Sequence, residues 1–473
     1  MGIDVATNAL VPAIDWRCAM PRRHLLRLVP ALVAAILVVV VGPPNTAVAG
    51  STQLFLYRVS ASSESVAQRL ARDGFDVLEN RDGTDLFVLG DAATGAKLRA
   101  AGFRPTVFQR LQPTGWSAPS TRLVPDAVKP AVAPIDETYD GGYHTVVAQY
   151  AHLDAVATAH PDLATVVNYG ASYLKTRNAA TGYDLKAVCI THKQAGDCAL
   201  NPNVTKPRFL LMAQIHAREI VTGDVAWRFI DYLTGGYGSV TAVTTLLNST
   251  EVWVVPVVNP DGVDEVQQGG NSPYLQRKNR DGTGCANPPT GSNQLGVDLN
   301  RNTVTHWDTT GVSSNVCSQT YPGRSADSEP ETKAIEGLFR QLFADQRGPG
   351  DGAVAPITTR GAMITLHSYA GMNLFPWGWT NTHTGNDAAL RAIAAHMSQL
   401  NGYQYGQPGE ILYNASGTSD DWSYGELGIA SFTIELASCG SFTPPHSCTT
   451  TDYTKNLPVL MYVAGIANAP YQQ

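Results

Sequence analysis

The sequence predicts an α/β fold, with a mixed, largely parallel sheet of about eight strands covered by helices on both faces. Short apolar segments have the length and composition of buried strands, and the clearest are 208–219, 361–368 and 430–436. Amphipathic helical patterns alternate with such segments from residue 139 to the end, as at 144–161 and 328–343. Strands and helices that alternate in this way build one sheet with helices on its two faces.

Length and composition indicate a globular protein that is larger than one ordinary domain. The chain has 473 residues, of which 44% are hydrophobic and 15% charged, so we expect two folded units and some processed segments. The net charge is −7. A nucleic-acid partner is not expected, because binding to phosphates needs clustered cations.

Residues 1–49 are predicted to be a signal peptide. Arginines precede the apolar run 28–41, which is followed by Gly-Pro-Pro and an A-x-A cleavage pattern. The alternative, a membrane anchor, is disfavoured because the run is short and ends at helix-breaking residues. Met20 stands just before the basic region, so residues 1–19 need not belong to the natural product. We expect export, cleavage after Ala49 and no membrane attachment of the mature protein.

A small α+β unit is predicted over residues 50–110. Strand, helix, hairpin and helix patterns follow in the order β-α-β-β-α, most like an open ferredoxin-type sandwich, with the hairpin turn at Asp82-Gly83. Residues 111–135 are rich in Pro, Ala, Ser and Thr and have almost no pattern, which is typical of a linker with exposed cleavage points. The main domain is predicted to occupy 136–473.

The cysteines indicate disulfides. Cys18 falls in the signal segment and six remain, a usage that suits an exported protein. Close neighbours predict two short-loop bridges, Cys189 with Cys198 and Cys439 with Cys448. Cys285 with Cys317 is the simplest third pair, although six cysteines allow fifteen pairings and the others stay open. No pair has C-x-x-C spacing, so a cysteine zinc site is not expected.

Polar residues stand at or near the ends of the three apolar strands. The first strand ends in His216, Arg218 and Glu219. The second ends in His367, and the third carries Glu435. Sites in open α/β sheets are built at the carboxyl ends of strands, and a His with a Glu three residues later can both reach one zinc ion. A carboxylate inside an apolar strand is costly unless it is paired, hydrogen-bonded or used in chemistry.

These segments resemble those of the zinc metallocarboxypeptidases of the carboxypeptidase A and B type. Two further motifs carry the same resemblance: G-V-D-L-N-R-N at 296–302 and L-Y-N-A-S-G-T-S-D-D-W-S-Y at 412–424. The resemblance covers residues 139–467, motif by motif, in order and with close internal spacing. It implies one Zn²⁺ per chain and peptide or protein substrates with a free C-terminus. Cys285 and Cys317 also match the position where animal members carry a disulfide.

The resemblance implies the catalytic roles. The residues that match the zinc ligands are His216, Glu219 and His367, and three protein ligands leave an open position, as in catalytic zinc sites. Glu435 matches the general base that moves a proton from the attacking water to the leaving amine. Its alternative is a structural Glu paired with an Arg. Arg277, in Q-R-K-N-R-D-G, matches the donor to the carbonyl oxygen, although a solvated basic loop has the same composition.

Five further residues match substrate-binding positions. Asn300 and Arg301 match the pair that holds the terminal carboxylate, for which a planar guanidinium is the suitable partner. Tyr413 matches the mobile tyrosine that closes over the bound terminus. Arg218 matches a subsidiary arginine along the substrate path, and Tyr369 resembles another subsite residue. The alternative for all five is an ordinary polar residue of a loop.

Side-chain preference is predicted from Asp420. This residue falls on the position at the base of the specificity pocket, which is Asp in relatives that prefer Lys or Arg and apolar in those that prefer aromatic or aliphatic ends. Leu374 and Gly378, at the pocket wall, look like the apolar-preferring kind, so we expect mixed specificity. Asp421 matches a position that is Asp across the family, with a structural role. The alternative is that Asp420 points to solvent.

The sequence therefore predicts a secreted zinc carboxypeptidase that is made as a proenzyme and acts as a monomer. Residues 50–110 are expected to be a prosegment that blocks the site, and residues 111–135 a linker that is cut on activation. An accessory binding domain is the alternative for residues 50–110. The alternatives for the whole protein are a peptidase of cell-wall peptides with the same fold and a binding module that has lost activity.

Overall fold

The computed structural model describes residues 53–111, 137–282, 284–290 and 293–473. All of these belong to one compact unit of the chain. The predicted signal peptide with Cys18, and the predicted linker beyond its first residue, lie outside the described residues.

The N-terminal unit is a four-stranded antiparallel sheet with two helices. Its elements are β1 (Leu54–Ser60), α1 (Glu64–Arg72), β2 (Asp76–Asp82), β3 (Asp85–Gly90), α2 (Ala92–Ala100) and β4 (Thr106–Leu111). The strand order is β2-β3-β1-β4. The predicted β-α-β-β-α order was incomplete because it lacked β4. Only Leu111 of the six residues in this edge strand is buried, so the strand has no alternating pattern.

The main domain contains the remaining strands and helices. Its strands are β5 (Thr138–Tyr139), β6 (Tyr143–His144), β7 (Ala164–Ala171), β8 (Asp184–Ile190), β9 (Arg208–Met212), β10 (Glu251–Val255), β11 (Ala362–Ser368), β12 (Met372–Leu374), β13 (Gln404–Gly406) and β14 (Ala430–Leu436). Its helices are α3 (Val146–Ala159), α4 (Tyr173–Arg177), α5 (Val221–Gly236), α6 (Thr241–Ser249), α7 (Pro260–Gln267), α8 (Pro330–Leu342), α9 (Asp387–Asn401), α10 (Pro408–Ile411), α11 (Ser419–Leu427) and α12 (Cys448–Gly465). The 3₁₀ helices are Leu299–Arg301, Ser438–Gly440 and Pro470–Gln472.

Eight strands of this domain form one mixed sheet in the order β13-β12-β14-β11-β9-β10-β8-β7. The central strands β14, β11, β9 and β10 are parallel neighbours, and β12 runs parallel to β13. The other three pairs are antiparallel. The predicted mixed, largely parallel sheet is therefore confirmed.

Helices cover both faces of this sheet, as predicted. Phe209 and Leu211 of β9 pack into a core that includes residues of α5 and α12. The alternate residues Leu210 and Met212 pack into a second core with α8 and α11. Since both faces of β9 are buried, the strand has to be apolar at every position rather than at alternate ones.

The strand β9 is shorter than predicted. It ends at Met212, whereas the predicted strand continued to Glu219. Residues 213–220 form a buried loop before α5, in which Gln214 has φ of 50° and cannot continue a strand. The backbone N–H of Ala217 donates to the carbonyl of Arg277 at 3.0 Å. The apolar run extended past the strand because this loop is as buried as the strand.

Three disulfides join the cysteines of the described residues in the predicted pairs. They are Cys189–Cys198, Cys285–Cys317 and Cys439–Cys448. The second bridge closes a segment that contains the 3₁₀ helix Leu299–Arg301, so it limits the freedom of a loop at the site described below. No helix in the described part of the chain has the length and apolarity needed to cross a bilayer.

Candidate active site

The carboxyl edge of three central parallel strands gathers four of the predicted site residues. His216 and Glu219 lie in the loop after β9, His367 lies near the end of β11, and Glu435 lies near the end of β14. The register pairs His367 with Glu435 on adjacent strands. All four side chains are buried. This edge therefore forms one site, at the place where open α/β sheets bind ligands.

Two imidazoles and one carboxylate converge on a common point. Glu219 Oε1 lies 2.8 Å from His216 Nδ1, and Glu219 Oε2 lies 3.1 Å from His367 Nδ1. The two imidazole nitrogens are 3.1 Å apart. No other group of three His, Cys, Asp or Glu side chains converges in this way among the described residues. Such a donor set suits a catalytic divalent metal, because three protein ligands leave a position open.

Two residues that were not predicted hold the imidazole rings in place. His216 Nε2 lies 3.2 Å from Asp298 Oδ1, and His367 Nε2 lies 3.2 Å from Thr365 Oγ1. Each contact engages one ring nitrogen and so directs Nδ1 to the common point. Asp298 stands within G-V-D-L-N-R-N, so the motif carried a signal for it. Thr365 gave no signal beyond its place two residues before His367.

The buried charges of this cluster depend on one another. Burial and the Arg277 guanidinium oppose a charge on His216, but Glu219 and Asp298 outweigh them and raise the pKa of His216. Burial of Glu219 is outweighed by His216 and His367, so the pKa of Glu219 is lowered. The cluster therefore holds Glu219 as a carboxylate, which is the form that binds a cation.

Glu435 is a buried acid with unused hydrogen-bonding capacity. Burial, followed by the carboxylates of Glu219 and Glu79, raises the pKa of Glu435 well above its ordinary value. Its Oε2 atom is buried and has no hydrogen-bond partner among the described residues. A carboxyl group with a perturbed pKa and a free oxygen beside a ligand set is a candidate for proton transfer.

Arg277 provides a fixed positive charge beside the cluster. Its Nε donates to Asp298 Oδ2 at 3.0 Å, and its Nη1 lies 3.9 Å from Glu219 Oε1. Burial opposes the charge, but Asp298 and Glu79 outweigh it and raise the pKa of Arg277 well above its ordinary value. Its Nη2 has no hydrogen-bond partner in the described part of the chain. Arg277 is thus a charged donor whose Nη2 group is available to bind a ligand.

Asn300 and Arg301 lie on the 3₁₀ helix and line a cavity beside the ligand cluster. The N–H and hydroxyl of Ser419 donate to Asn300 Oδ1 at 2.9 and 3.1 Å, which leaves the amide NH₂ as the donor end. Arg301 Nε donates to Gly311 O at 3.2 Å, and its Nη1 donates to Asn300 O at 2.8 Å. Two neighbouring donors are therefore held rigidly at the cavity wall.

Asp420 lines the same cavity and is 4% exposed, so it does not point to solvent. Its Oδ2 accepts from Thr433 Oγ1 at 3.0 Å, and its Oδ1 accepts from Asp421 N at 3.0 Å. No cation of the described residues forms an ion pair with it.

Asp421, the next residue, does not offer its carboxylate to the cavity in this way. It accepts from the backbone N–H groups of Gly378 and Trp379 at 2.7 and 3.1 Å, which is a structural role. The cavity also has apolar and small walls at Leu374, Gly378, Pro408, Leu412 and Ala415.

The other predicted substrate residues contact the N-terminal unit or a neighbouring aromatic ring. Tyr413 lines the cavity, and its hydroxyl donates to Val77 O of β2 at 3.4 Å. Arg218 and Tyr369 do not line the cavity. The Arg218 guanidinium lies 4.9 Å from the centre of the Phe442 ring, and the Tyr369 ring lies 6.1 Å from it. Phe442 was not predicted as a site residue.

Two carboxylates of β2 enter this site. Asp76 accepts from both Nη atoms of Arg218 at 2.7 and 2.9 Å. Glu79 Oε1 lies 2.7 Å from Arg277 Nη1 and 3.9 Å from Arg301 Nη2. Neither acid was predicted, because nothing in the sequence distinguishes it from a solvated acid on a small domain. The N-terminal unit thus places two acids against three arginines that were predicted for the site.

A family profile described as zinc carboxypeptidase matches residues 149–458. The chain belongs to the zinc carboxypeptidase family. Human carboxypeptidase B2 is 30% identical over 67% of this chain and 67% of its own length. A zinc carboxypeptidase of Saccharothrix mutabilis subsp. capreolus is 29% identical over 92% of this chain and 94% of its own. Carboxypeptidase A of Helicoverpa armigera shares the fold, with a TM-score of 0.66 and 23% identity, and the match covers 88% of this chain and 98% of that chain.

The family assignment confirms the predicted resemblance and the class of enzyme, a metallocarboxypeptidase that acts as a peptide exopeptidase. The chain spans about two-thirds of the length of the carboxypeptidases A2 and B2 that it matches. The family implies a zinc ion, and the cluster of His216, Glu219 and His367 fits one. Its donor atoms are two imidazole nitrogens and a carboxylate oxygen, and each ring has a contact at its other nitrogen.

Zinc content and turnover are expected to respond differently to two substitutions. The purified carboxypeptidase should hold about one zinc per chain by elemental analysis. His367→Ala should lose most of this zinc because a ligand is removed. Glu435→Gln should keep the zinc and lose nearly all hydrolysis of a test peptide, because only the proton acceptor is changed.

A matched control is His396→Ala, which changes an exposed histidine of α9 and should alter neither quantity. Full zinc content in the His367→Ala protein would contradict the ligand set. Normal turnover by the Glu435→Gln protein would contradict the role of Glu435.

Proposed function

We propose that the mature chain is a secreted, zinc-dependent carboxypeptidase that removes C-terminal amino acids from peptides and proteins. One observation carries this proposal: the donor pair Asn300 and Arg301 lines the same cavity as Glu435, His216 and His367. A substrate whose terminal carboxylate binds the donor pair would place its last peptide bond beside the reacting groups. Export is supported by the predicted signal peptide and by the disulfides.

The chemistry proposed here divides among a few side chains. A zinc ion held by the His-Glu-His cluster would polarise the scissile carbonyl and lower the pKa of the attacking water to near ~7. Glu435 accepts a proton from that water and delivers it to the leaving amine, a role typically worth ~10² to 10⁴ in rate. Arg277 donates its unpaired Nη2 to the carbonyl oxygen as negative charge develops there. Asp298 is a positioning residue, since it contacts both His216 and Arg277.

The carboxylate clamp depends on the rigidity of Arg301. Its guanidinium is fixed by two backbone carbonyls, those of Gly311 and Asn300. A side chain held in its binding geometry loses little conformational entropy when the substrate binds. The planar fork can then meet a carboxylate with two hydrogen bonds, a geometry that a lysine lacks.

Removal of the clamp should abolish the preference for a free C-terminus. Arg301→Gln should lower kcat/KM for a peptide acid by an amount equivalent to about 2 to 5 kcal/mol, because a charge partner is lost. The matching C-terminal amide should be a poor substrate before and after the substitution. The rates can be measured by mass spectrometry of paired peptides on the enzyme with a cut linker.

The control for this substitution is Arg340→Gln, which changes an exposed arginine that pairs with Glu426. It should leave both rates unchanged. Equal cleavage of the free and amidated peptides by the unsubstituted enzyme would contradict the exopeptidase assignment of this site.

We propose a mixed preference for basic and for large apolar C-terminal residues. The Asp420 carboxylate lines the cavity and accepts hydrogen bonds from a hydroxyl and a backbone amide, and no cation of the described residues pairs with it. A buried carboxylate of this kind gains from an incoming Lys or Arg, because an unpaired buried charge is unfavourable. The walls at Leu374, Pro408, Leu412 and Ala415 are apolar, and they can pack against the stem of a long cation or against a Phe or Leu side chain.

Substitution of Asp420 should separate these two preferences. Asp420→Ala should lower kcat/KM for a peptide ending in Arg by at least ~30-fold, because the charge partner is lost, and should change the value for a Phe or Leu end only a few-fold. Glu426→Gln, which changes a half-exposed acid on the same helix α11, is the matched control. A parallel loss for Arg and Phe ends, or no loss for either, would show that Asp420 does not select the substrate.

We also propose that residues 50–110 are a prosegment that keeps the enzyme latent until the linker 111–135 is cut. Within β2, the three residues Leu78, Glu79 and Asn80 stand opposite a single residue of β3, since Val77 pairs with Val88 and Arg81 with Leu86. Such a bulge moves residues out of the ladder. The Glu79 carboxylate reaches Arg277 and approaches Arg301, the two groups assigned here to the substrate.

The prosegment also engages the segment that carries Tyr413. Arg81 Nη1 donates to Leu412 O at 2.6 Å, Gln68 Nε2 donates to Asn414 O at 2.8 Å, and Asn414 N donates to Glu64 Oε1 at 3.0 Å. These contacts fix the backbone on both sides of Tyr413. A tyrosine that has to move over a bound terminus is thereby held against β2.

The uncut precursor should gain activity when the acids of β2 are neutralised. Asp76→Asn combined with Glu79→Gln should raise its kcat/KM by roughly tenfold or more, because two buried ion pairs that hold the prosegment are lost. Asp82→Asn is the matched control, since Asp82 lies on the same strand but pairs with Arg58 at a mostly exposed site. Full activity of the unsubstituted, uncut precursor would instead support an accessory domain.

The binding-module alternative has little support, because the ligand cluster, the acid and the carboxylate clamp all lie at one edge of the sheet. No feature of the cavity favours the cell-wall alternative. A mixture of peptides with L- and D-configured ends distinguishes it from the proposed function. We further propose that the mature enzyme acts as a monomer.

A further inference from the structure

The ion pair between Arg218 and Asp76 does not belong to the main domain alone. Both Nη atoms of Arg218 donate to the two carboxylate oxygens of Asp76, at 2.7 and 2.9 Å. Each side chain is 1% exposed. Among the described residues, no other carboxylate lies within ion-pair distance of Arg218. Within the described part of the chain, the acid that compensates this cation is therefore supplied by the proposed prosegment.

If the prosegment departs, Arg218 remains as an unpaired cation beside the aromatic ring of Phe442. Its guanidinium lies 4.9 Å from the centre of the Phe442 ring, and its Nε is buried without a hydrogen-bond partner in the described chain. Leu78 of the prosegment packs in one cluster with Phe442 and Tyr369. Removal of Leu78 and Asp76 would thus expose the Arg218 guanidinium next to the rings of Phe442 and Tyr369. Such a surface suits a peptide with an acidic side chain.

The position of Arg218 along a substrate follows from β2. Glu79 contacts Arg277 and approaches the carboxylate clamp, whereas Asp76, three residues earlier in the chain, contacts Arg218. A substrate that runs in the same direction, with its C-terminus at Arg301, would bring residues upstream of the cleaved bond to Arg218. The C-terminal residue itself would occupy the cavity lined by Asp420.

We propose that Arg218 makes the mature enzyme select peptides with an aspartate or glutamate two or three residues before the C-terminal residue. This inference rests on the carboxypeptidase activity proposed above. Asp76 then occupies in the precursor the place that the substrate's acidic side chain takes in the mature enzyme.

The test compares capped pentapeptides that end in Leu, so that Asp420 has no charge partner. The residue two or three places before Leu is Asp, Asn, Lys or Ala. The full chain is used after its linker has been cut. At one of the two places, kcat/KM should be roughly five- to fiftyfold higher for Asp than for the isosteric Asn, the range between exposed and desolvated ion pairs. Lys should be the poorest.

Variants of Arg218 link this preference to one side chain. Arg218→Glu should reverse the order and favour Lys over Asp, and Arg218→Lys should keep the original order with a smaller ratio. Arg228→Gln is the matched control, because Arg228 also stands near an aromatic ring, that of Tyr453, but lies on α5. It should keep the full ratio. Circular dichroism would verify that each variant is folded.

Two results would overturn the inference: equal kcat/KM for Asp and Asn at both places, or a ratio that Arg218→Glu leaves unchanged. If Arg218→Glu fails to fold, the ratio in the unsubstituted enzyme and in Arg218→Lys still decides. Failure of the proposed carboxypeptidase activity has a different signature, because the Ala peptide would then not be cleaved either.

Discussion

The active site depends on the mutual compensation of charges that are all removed from water. Asp298 is the link in this network, since one of its oxygens contacts His216 and the other accepts from Arg277. Burying an isolated ion is strongly unfavourable, whereas a paired and hydrogen-bonded ion is tolerated. The ligand cluster and the arginine assigned to the carbonyl oxygen therefore require the same carboxylate. Their relative position is fixed by that requirement as much as by the strands that carry them.

Much of the site could be predicted because its residues follow short, fully apolar strands. His367 and Glu435 stood out as polar groups in the runs that became β11 and β14. The end of β9 could not be predicted, since the buried loop after it has the same apolar composition. Asp76 and Glu79 were missed for another reason. Asp76 and Arg218 are 142 residues apart in the chain, and nothing local marks an acid that will be buried by a distant domain.

The N-terminal unit, proposed here as a prosegment, and a peptide substrate would compete for the same arginines. Arg218, Arg277 and Arg301 face acids of β2, and each would lose a nearby negative charge if the N-terminal unit were removed. The open site would then be more positive along the substrate path, and Asp420 would place a negative charge in the pocket for the C-terminal side chain. A field of this shape orients a peptide chain with its terminal carboxylate inward, and such steering weakens as salt is added.

The bulge in β2 lets Glu79 extend from the N-terminal unit without changing the other residue pairs of the β2–β3 hairpin. A ladder with equal numbers of residues on β2 and β3 would keep every other pairing of this hairpin, and it would lack the two extra residues that stand opposite Phe87. The number of residues in the bulge then determines how far the Glu79 carboxylate extends toward Arg277 and Arg301. A longer or shorter bulge would therefore change the contacts of Glu79 with Arg277 and Arg301 without altering the fold of the N-terminal unit.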